Sequence, residues 1–388
     1  MKTSPLLRAS CTAVLLIATA SEGLAADGFK LRFPLSGTLG GEIVAPLPTE
    51  GWFGSVVVTD VNVSALTGDD GNPKQMSMQV PVPALTTVQA TALTAALGVS
   101  PIREGVKTIL TNGTANVVGS ANIAIAKYHQ TIVSIALGHV LSKDVNGGKL
   151  VALVNIPYAA AFDTSINVSG TLAAGAGTPT EVAANTIAKN VAATGYNAKL
   201  AKLGSDASIN TSGIGDIEAS LLWEKAIDDF KVVAGASFAM PTGNYKYVKD
   251  SLTPNIGFGN FYTLRTGLGV AYAASESVTL GARGSLGFNS QNADNYVRSG
   301  DFYAIDLAAA FRTPVGVIGP HVTMLQQYTD DTGGTAGANR VSVTGAGFFY
   351  TVPIAAWGAG LNVAYMKTTE TKNSLSGDFV QLRLSKVF

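Results

Sequence analysis

Apolar and polar residues alternate along much of the chain, most clearly in its second half. In the segment 278–289 one side of an extended chain is apolar and the other polar: Val278, Leu280, Ala282, Leu286 and Phe288 against Thr279, Arg283, Ser285 and Asn289. Successive side chains of a β-strand point to opposite faces. This period of two therefore predicts strands that have one apolar and one polar face.

About a dozen segments of roughly 10 to 15 residues have this strand character and are bounded by turn residues. They are 52–66, 130–141, 149–162, 215–225, 230–240, 259–273, 278–289, 303–312, 317–328, 341–351, 357–368 and 379–388. The last segment alternates apolar with polar residues and stops on the aromatic Phe388. Such an ending is typical of the last strand of an outer-membrane barrel.

The connections between these segments alternate between long and short along the chain. The long ones are 67–129, 163–214, 241–258, 290–302, 329–340 and 369–378, and the short ones are 142–148, 226–229, 274–277, 313–316 and 352–356. Outer-membrane barrels have short periplasmic turns and long external loops. The sequence therefore predicts an all-β, transmembrane, antiparallel up-and-down β-barrel of about twelve strands.

The first 25 residues have the features of a secretory signal peptide. Lys2 and Arg8 precede the apolar run 13–18, and the small residues of Gly23-Leu24-Ala25 offer a cleavage site. Cleavage would remove Cys11, the one cysteine of the chain. We therefore expect a signal peptide in 1–25, a plug or lead-in segment rich in Gly and Pro in 26–51, and the barrel in 52–388. The expected location is the bacterial outer membrane.

Aromatic residues fall into two rows near opposite ends of the predicted strands. The row expected at the periplasmic ends, a candidate membrane girdle, comprises Trp52, Trp223, Phe230, Tyr272, Phe311, Trp357 and Phe388. The opposite row comprises Phe238, Tyr262, Phe288, Tyr303, Tyr328 and Tyr365. Eight to ten residues separate the rows within a strand, so tilted strands place them about 20 to 25 Å apart, the height of an outer-membrane apolar belt.

Charged residues lie on the faces opposite the aromatic rows and are therefore expected inside the barrel. These candidates for lining the lumen are Asp216, Glu218, Glu224, Lys231, Arg265, Arg283, Asp306, Arg312 and Arg383. Because both signs are present, the side chains could brace the interior by pairing. The alternative is that they line a polar path, and the sequence leaves both open.

The two longest loops, 67–129 and 163–214, contain segments with helical spacing. These are 88–97, 101–110 and 181–203, the last of them beginning with Thr180 and Glu181. Apolar helix faces over a barrel mouth would suit the capture of a hydrophobic ligand. Alternatively, the helices pack on one another as a lid.

Composition excludes several classes of function. Lys and Arg number 26 and Asp and Glu number 26, so no net charge would recruit nucleic acid. The three histidines, His129, His139 and His321, lie far apart in sequence. Phosphate-binding loops, a serine-nucleophile turn and clustered metal ligands are not found. We expect no enzyme activity, no cofactor and no metal.

Several short motifs, in order, resemble one outer-membrane family. They are Gly40-Gly41-Glu42 with Pro48 and Gly51-Trp52, then Gly213-Ile214-Gly215-Asp216, Pro241-Thr242-Gly243-Asn244-Tyr245, Tyr296 with Ser299-Gly300, and Gln327-Tyr328 with Asp330-Asp331. The family is labelled as involved in the meta-pathway of phenol degradation and is akin to the outer-membrane transporters of long-chain fatty acids and toluene. The resemblance implies a channel for hydrophobic or aromatic small molecules.

The expected function is accordingly passive uptake of small hydrophobic or aromatic compounds across the outer membrane. A general porin for polar solutes is one alternative, favoured by an open, charge-lined lumen. A surface protein that binds or adheres through its two long loops is another. Expected partners are outer-membrane lipid, a small hydrophobic ligand, and the barrel-assembly machinery, which would recognise the last strand ending in Phe388.

Overall fold

The computed structural model describes residues 47–48, 50–98, 100–247, 253–333 and 340–388. The expected signal peptide and most of the expected plug segment lie outside these residues. The strands are β1 (Trp52–Leu66), β2 (Gln75–Gln79), β3 (Val117–Val145), β4 (Gly148–Ala174), β5 (Asn210–Ile214), β6 (Glu218–Ile227), β7 (Phe230–Ala239), β8 (Thr263–Ala273), β9 (Val278–Asn289), β10 (Phe302–Thr313), β11 (Gly316–Gln327), β12 (Ser342–Ile354), β13 (Ala359–Lys372) and β14 (Leu375–Val387). The helices are α1 (Thr87–Leu93), α2 (Pro101–Asn112) and α3 (Pro179–Asp206), with 3₁₀ turns at Ala95–Leu97 and Ala355–Trp357.

Twelve of the strands close into an antiparallel barrel, which confirms the predicted fold class. From β6 to β14 each strand pairs with its neighbour in sequence. The circle closes because β14 pairs with β1, β1 with β3, β3 with β4, and β4 with β6. The short strands β2 and β5 are additional, and pair with β3 and β4 respectively.

The chain divides into two compact units. Among the described residues, the smaller unit comprises 75–122 and 168–202, and the larger comprises the remaining described segments. Strands β3 and β4 contribute to both. The larger unit contains the strand pairings that close the barrel, including those of β14 with β1 and of β1 with β3.

Each of the twelve predicted segments lies largely within one barrel strand, and β1 and β9 have the predicted bounds. Two predictions were wrong in length, because β3 has 29 residues and β4 has 27. Part of each expected loop, 67–129 and 163–214, is therefore strand. The alternation does continue there, since Val117, Gly119 and Ala121 are buried between more exposed neighbours. Small residues such as Gly, Ala and Ser make that signal weak.

The connection between β13 and β14 was also predicted too long. An external loop was expected over 369–378, but β13 continues to Lys372 and β14 begins at Leu375. Asn373 makes the tight turn with a positive φ of 48°. Asn tolerates the left-handed conformation better than most residues, so two residues suffice to reverse the chain.

The predicted helices form, and their ends follow from local sequence. Thr86 and Gln89 cap α1 reciprocally, and Ser100 caps α2, whose first residue is Pro101. Helix α3 begins at Pro179 rather than 181 because Thr178 and Glu181 form the reciprocal cap: the Thr178 amide donates to Glu181 Oε2 over 2.7 Å.

The apolar faces of the helices pack together in the smaller unit. Val106 and Leu110 of α2 and Ala188 and Tyr196 of α3 belong to one buried cluster. Asn185 is buried as well, and it accepts from the Asn116 amide over 2.7 Å and donates to the Gly175 carbonyl over 2.8 Å. Mutual packing accounts for these buried residues, while Val88, Leu93, Leu97, Ile102 and Val182 stay exposed.

In the described part of the chain, no helix is both long and apolar enough to span a membrane.

Candidate functional site: the barrel interior

The two faces of the barrel strands differ sharply in exposure. On β1, Val57, Thr59 and Val61 are at most 3% exposed, whereas the intervening Val56 is 46% exposed. On β11, His321 and Thr323 are buried while Val322 and Met324 are exposed. In a closed barrel the buried face is the inner one. On these two strands the inner-face side chains are thus packed, whereas inner-face residues of β6, β7 and β9 such as Glu218, Lys231 and Arg283 are half-buried.

Among the described residues, three ion pairs connect inner-face residues of different strands, two of them between neighbouring strands and one across an intervening strand. Arg283 Nη2 lies 2.7 Å from Asp306 Oδ2, and Thr323 donates to Asp306 Oδ1 over 2.7 Å. Arg265 pairs with Glu218. The third pair joins Lys149 Nζ to Glu224 Oε1 over 2.7 Å, and sequence analysis had not named Lys149. Glu224, Arg265 and Asp306 are each less than a tenth exposed.

The remaining predicted lining residues have different surroundings. Lys231 lies half-buried on β7 and interacts electrostatically with Glu224. Arg383 Nη2 donates to Gln381 Oε1 over 3.2 Å on the same strand. Arg312 is exposed next to the last residue of β10. Asp216 lies outside the strands, between β5 and β6, and accepts main-chain hydrogen bonds from the amides of Gly243 and Phe258.

An apolar cluster occupies another part of the barrel. Its fully or nearly buried members are Val61, Val63, Tyr128, Phe162, Ala308, Ala310, Phe349, Ala364, Met366 and Phe379. Tyr128 and Phe162 meet edge to face with ring centroids 5.3 Å apart. His321 lies next to this apolar cluster. Its ring centroid is 6.4 Å from that of Phe349, and its Nε2 is 3.1 Å from the Tyr365 carbonyl oxygen.

The chain just before β1 is bound to the inner face. The amide of Leu47 donates to Glu224 Oε2 over 2.9 Å, and the Leu47 carbonyl accepts from Lys149 Nζ over 2.5 Å. Three residues later Glu50 pairs with Lys143, which lowers the pKa of the Glu50 carboxyl. These contacts could not be predicted from the sequence, because main-chain binding leaves no signature in the identity of residue 47.

The motif residues fasten the connections at one end of the barrel, the end opposite the short turns 146–147, 228–229, 274–277, 314–315 and 355–358. We call these the long-loop end and the short-turn end. Asp216 accepts from the amides of Gly243 and Phe258 over 2.9 and 3.1 Å. A Cβ at Gly243 would come within 2.7 Å of the Gly257 Cα, so the close approach there requires glycine.

A second group of motif residues joins the β9–β10 and β11–β12 connections. Asp331 Oδ1 accepts from the Gly300 amide over 2.9 Å and from Gln327 Nε2 over 2.7 Å. A Cβ on Gly300 would lie 2.0 Å from the Thr329 carbonyl oxygen. These motifs are therefore structural ties between connections rather than a demonstrated ligand site.

The aromatic rows lie on the outer face and pair across neighbouring strands. Phe230 stacks on Tyr272 at 4.8 Å between ring centroids, and Phe238 stacks on Tyr262 at 5.4 Å. The first pair comes from the row expected at the periplasmic ends and the second from the opposite row. Of the candidate girdle residues, Trp52, Phe230, Tyr272, Phe311, Trp357 and Phe388 are exposed and Trp223 is half-buried.

The histidines stand in three separate settings. His129 Nε2 lies 2.7 Å from Asp60 Oδ2 on the outer face, a pair that sequence analysis did not predict. His139 stacks on Trp52, and His321 lies on the inner face. Within the described segments, no cluster of three or more His, Cys, Asp or Glu side chains could hold a metal ion.

These features define a closed antiparallel β-barrel of the outer-membrane type, with ion pairs and a buried apolar cluster on its inner face. The family model described as "Putative MetA-pathway of phenol degradation" matches residues 114–384, about two thirds of the chain, and the chain belongs to this family. Among curated proteins, no sequence matches it.

Solved structures support the fold. An outer membrane channel from Pseudomonas putida F1 is 15% identical, with a TM-score of 0.58, over 91% of this chain and 100% of the other. A monoaromatic hydrocarbon channel, CymD, is 11% identical with a TM-score of 0.35 over 87% of this chain and 89% of its own. A FadL homologue of Pseudomonas aeruginosa is 8% identical with a TM-score of 0.33, over 87% and 90%. Only the first score is high enough to support a conclusion, and that conclusion is the shared fold.

Proposed function

We propose that the protein is a channel for passive uptake of small hydrophobic or aromatic compounds across the outer membrane. The observation that carries the proposal is the packed inner face, where residues such as Thr59, Phe349 and Gln381 have no exposed surface. A general porin needs a wide aqueous path, which a packed interior does not provide. The description of the family agrees with a role in the supply of aromatic compounds.

In this proposal the inner-face ion pairs brace the barrel rather than line a polar path. In each of the three pairs a basic side chain neutralises a carboxylate; two pairs join neighbouring strands, and the Arg265–Glu218 pair joins β8 to β6 across β7. The apolar cluster around Tyr128, Phe162 and Phe349 is the surface that suits a hydrophobic solute. Uptake requires no cofactor and no chemical step.

We further propose that 26–51 acts as a plug after removal of the signal peptide 1–25. The clamp on Leu47 supports this assignment because it binds the end of the segment to the inner face. The short-turn end is then periplasmic, the aromatic rows form the two membrane girdles, and Phe388 is recognised by the barrel-assembly machinery.

Uptake of a radiolabelled monoaromatic hydrocarbon by whole cells, compared with uptake of a pentose, tests the function. In a porin-deficient strain we expect the protein to raise initial toluene uptake at least about fivefold and arabinose uptake not at all. Accumulation of arabinose without toluene would instead establish the polar porin. Attachment of cells to a surface with neither solute taken up would establish the binding protein.

Single-channel conductance in planar bilayers tests the plug. We expect the intact protein to be silent and a variant lacking 27–51 to conduct. Steady ohmic conductance of the intact protein would overturn the plug and favour the porin.

A further inference from the structure

The inner face of β11 carries an imidazole that its surroundings hold in one orientation. His321 stands directly opposite Gly347 of β12 in the strand register. A Cβ at residue 347 would lie 2.5 Å from His321 Nε2 and closer still to the Tyr365 carbonyl oxygen, so only glycine leaves room for the ring. The ring therefore reaches over β12 to the main chain of β13, where Nε2 lies 3.1 Å from that carbonyl oxygen.

The contact with Tyr365 determines which ring nitrogen carries the proton. A carbonyl oxygen only accepts hydrogen bonds, so Nε2 is the donor, and the neutral ring presents Nδ1 as an acceptor. Among the described residues, the Tyr365 carbonyl is the one hydrogen-bond partner of this ring. Asp306 interacts electrostatically with His321, but Arg283 and Thr323 already bind its two carboxylate oxygens. His321 thus has an acceptor nitrogen that the described residues do not use.

The surroundings of this acceptor are mainly apolar. Ala308 of β10 stands directly opposite His321, and the Phe349 ring meets the imidazole edge to face. Both residues belong to the buried apolar cluster, and His321 itself is only 4% exposed. A hydrogen bond is stronger in such a setting than in water, and a buried polar group left unpaired is costly. A single acceptor at the edge of an apolar surface can therefore distinguish solutes that carry a donor from those that do not.

We propose that His321 is a specificity-determining residue that selects, among small aromatic solutes, those that carry a hydroxyl group or another hydrogen-bond donor. The donor binds Nδ1 of His321, while the aromatic ring of the solute contacts the apolar cluster beside Phe349. This role rests on the proposed function, because selection requires that solutes pass the inner face. A hydrocarbon without a donor uses the apolar surface alone and is taken up less well.

Phenol and toluene form a matched pair of solutes, since a hydroxyl group replaces a methyl group of similar size. Their initial uptake is measured in a porin-deficient strain at about pH 8, where an ordinary imidazole is neutral. We expect the ratio of phenol to toluene uptake to fall at least about fivefold from the wild type to His321→Phe, the effect of one hydrogen bond to a buried group. Differences in how the two solutes cross the membrane unaided cancel in this comparison.

Two further variants separate selection from a structural role. His321→Gln keeps a donor for the Tyr365 carbonyl and an acceptor for the solute, so it should retain at least half of the wild-type ratio. His129→Gln changes the outer-face histidine that pairs with Asp60, and should leave the ratio unchanged. Each variant is first shown to keep the mobility shift of a folded barrel on unheated gels. An unchanged ratio in His321→Phe, or an equal loss of both solutes, would overturn the selective role.

Nitrogen NMR of the purified full-length barrel with isotope-labelled histidine tests binding without transport. The signals of His321 are identified by their loss in His321→Gln. Phenol should shift the Nδ1 signal of His321 and toluene should not, whereas phenol that leaves this signal in place would overturn binding at His321. A shift by phenol in a protein that takes up neither solute would contradict the proposed function and leave the site standing. Uptake of both solutes in a ratio that does not depend on residue 321 would contradict the role of His321 alone.

Discussion

Individual charged residues show how far pattern alone predicts the interior. Alternation placed Arg283 and Asp306 on the inner face, and the structure brings them within 2.7 Å of each other across neighbouring strands. The alternating pattern predicts which face of the barrel each residue lies on. It does not predict the ion-pair partner, because it carries no information on strand register. Once the register of β9 and β10 is known, the pair follows, because the two residues stand directly opposite each other.

Breaking this pair on one side should cost more than removing it altogether. Arg283→Met leaves the carboxylate of Asp306 buried without its cation, with Thr323 still donating to it, so we expect the free energy of unfolding to fall by about 3 kcal/mol. Adding Asp306→Asn to Arg283→Met should recover at least half of that loss. Urea unfolding in lipid vesicles, followed by fluorescence of the three tryptophans, measures both.

The Lys127–Asp163 pair provides the control for that cycle, since its lysine side chain is 55% exposed. Lys127→Met should change the free energy of unfolding by less than about 1 kcal/mol. A double variant no more stable than Arg283→Met would show that the carboxylate does not depend on this arginine.

Asp216 illustrates a residue whose hydrogen-bond partners the sequence pattern does not reveal. Its position in the alternating pattern predicted that it faces the lumen. In the structure its two carboxylate oxygens accept from the amides of Gly243 and Phe258 in the β7–β8 connection. Asp216→Asn keeps one acceptor oxygen of two. We expect trypsin to cut after the exposed Lys246 about tenfold faster. Losing one hydrogen bond to a charged group should raise the population of the opened connection by about this factor. Asp229→Asn, in an exposed short turn, is the control and should leave this rate unchanged. Equal cleavage rates for both variants would show that the hydrogen bonds to Asp216 do not hold the connection in place.

At the scale of elements, helices and strands were predictable where local chemistry is strong. The bounds of β9 follow from a clean alternation, and the start of α2 from Ser100 followed by Pro101. The extensions of β3 and β4 were missed because their small residues alternate without a strong apolar face. The Leu47 clamp was beyond prediction, since it joins main chain to a side chain 177 residues away.

The start of α3 should depend on pH through its reciprocal cap. Hydrogen bonds from Thr178 lower the pKa of the Glu181 carboxyl below its ordinary value of 4.5. A carboxyl with a lowered folded-state pKa stabilises the fold fully above its ordinary value and loses that contribution as pH falls through the folded-state pKa. We therefore expect the first turn of α3 to fray below pH 4.5.

Hydrogen exchange of the amides in 180–184, corrected for the intrinsic rate at each pH, measures this fraying. Glu181→Gln keeps an acceptor for the Thr178 amide but does not titrate, so its protection should be independent of pH in this range. Glu104→Gln in the first turn of α2 is the control. Acid-induced fraying that persists in Glu181→Gln would assign the effect to another group.

For the whole molecule, closure depends on β14 pairing with β1 from Phe53 opposite Val387 to Leu66 opposite Leu375. This pairing joins the two ends of the sheet. It explains why the segment 379–388 has the pattern of a last barrel strand. The strand count followed from the same pattern. The division into two compact units did not, because no boundary marks the points where β3 and β4 pass from one unit into the other.

Phe388 should matter for assembly and not for the finished barrel. Its amide donates to the Trp52 carbonyl over 2.8 Å, a bond that Phe388→Ala retains, and its ring is 71% exposed. We expect Phe388→Ala to change the free energy of unfolding of the assembled barrel by no more than about 0.5 kcal/mol. If the assembly machinery binds the ring, the amount of folded protein in cells should nevertheless fall severalfold.

The folded fraction on unheated gels measures the effect of Phe388→Ala, both in cells and after refolding in detergent. Val387→Ala, also exposed, controls for loss of an apolar side chain in the same strand. A defect in detergent as large as in cells would place the effect of Phe388 in the barrel itself.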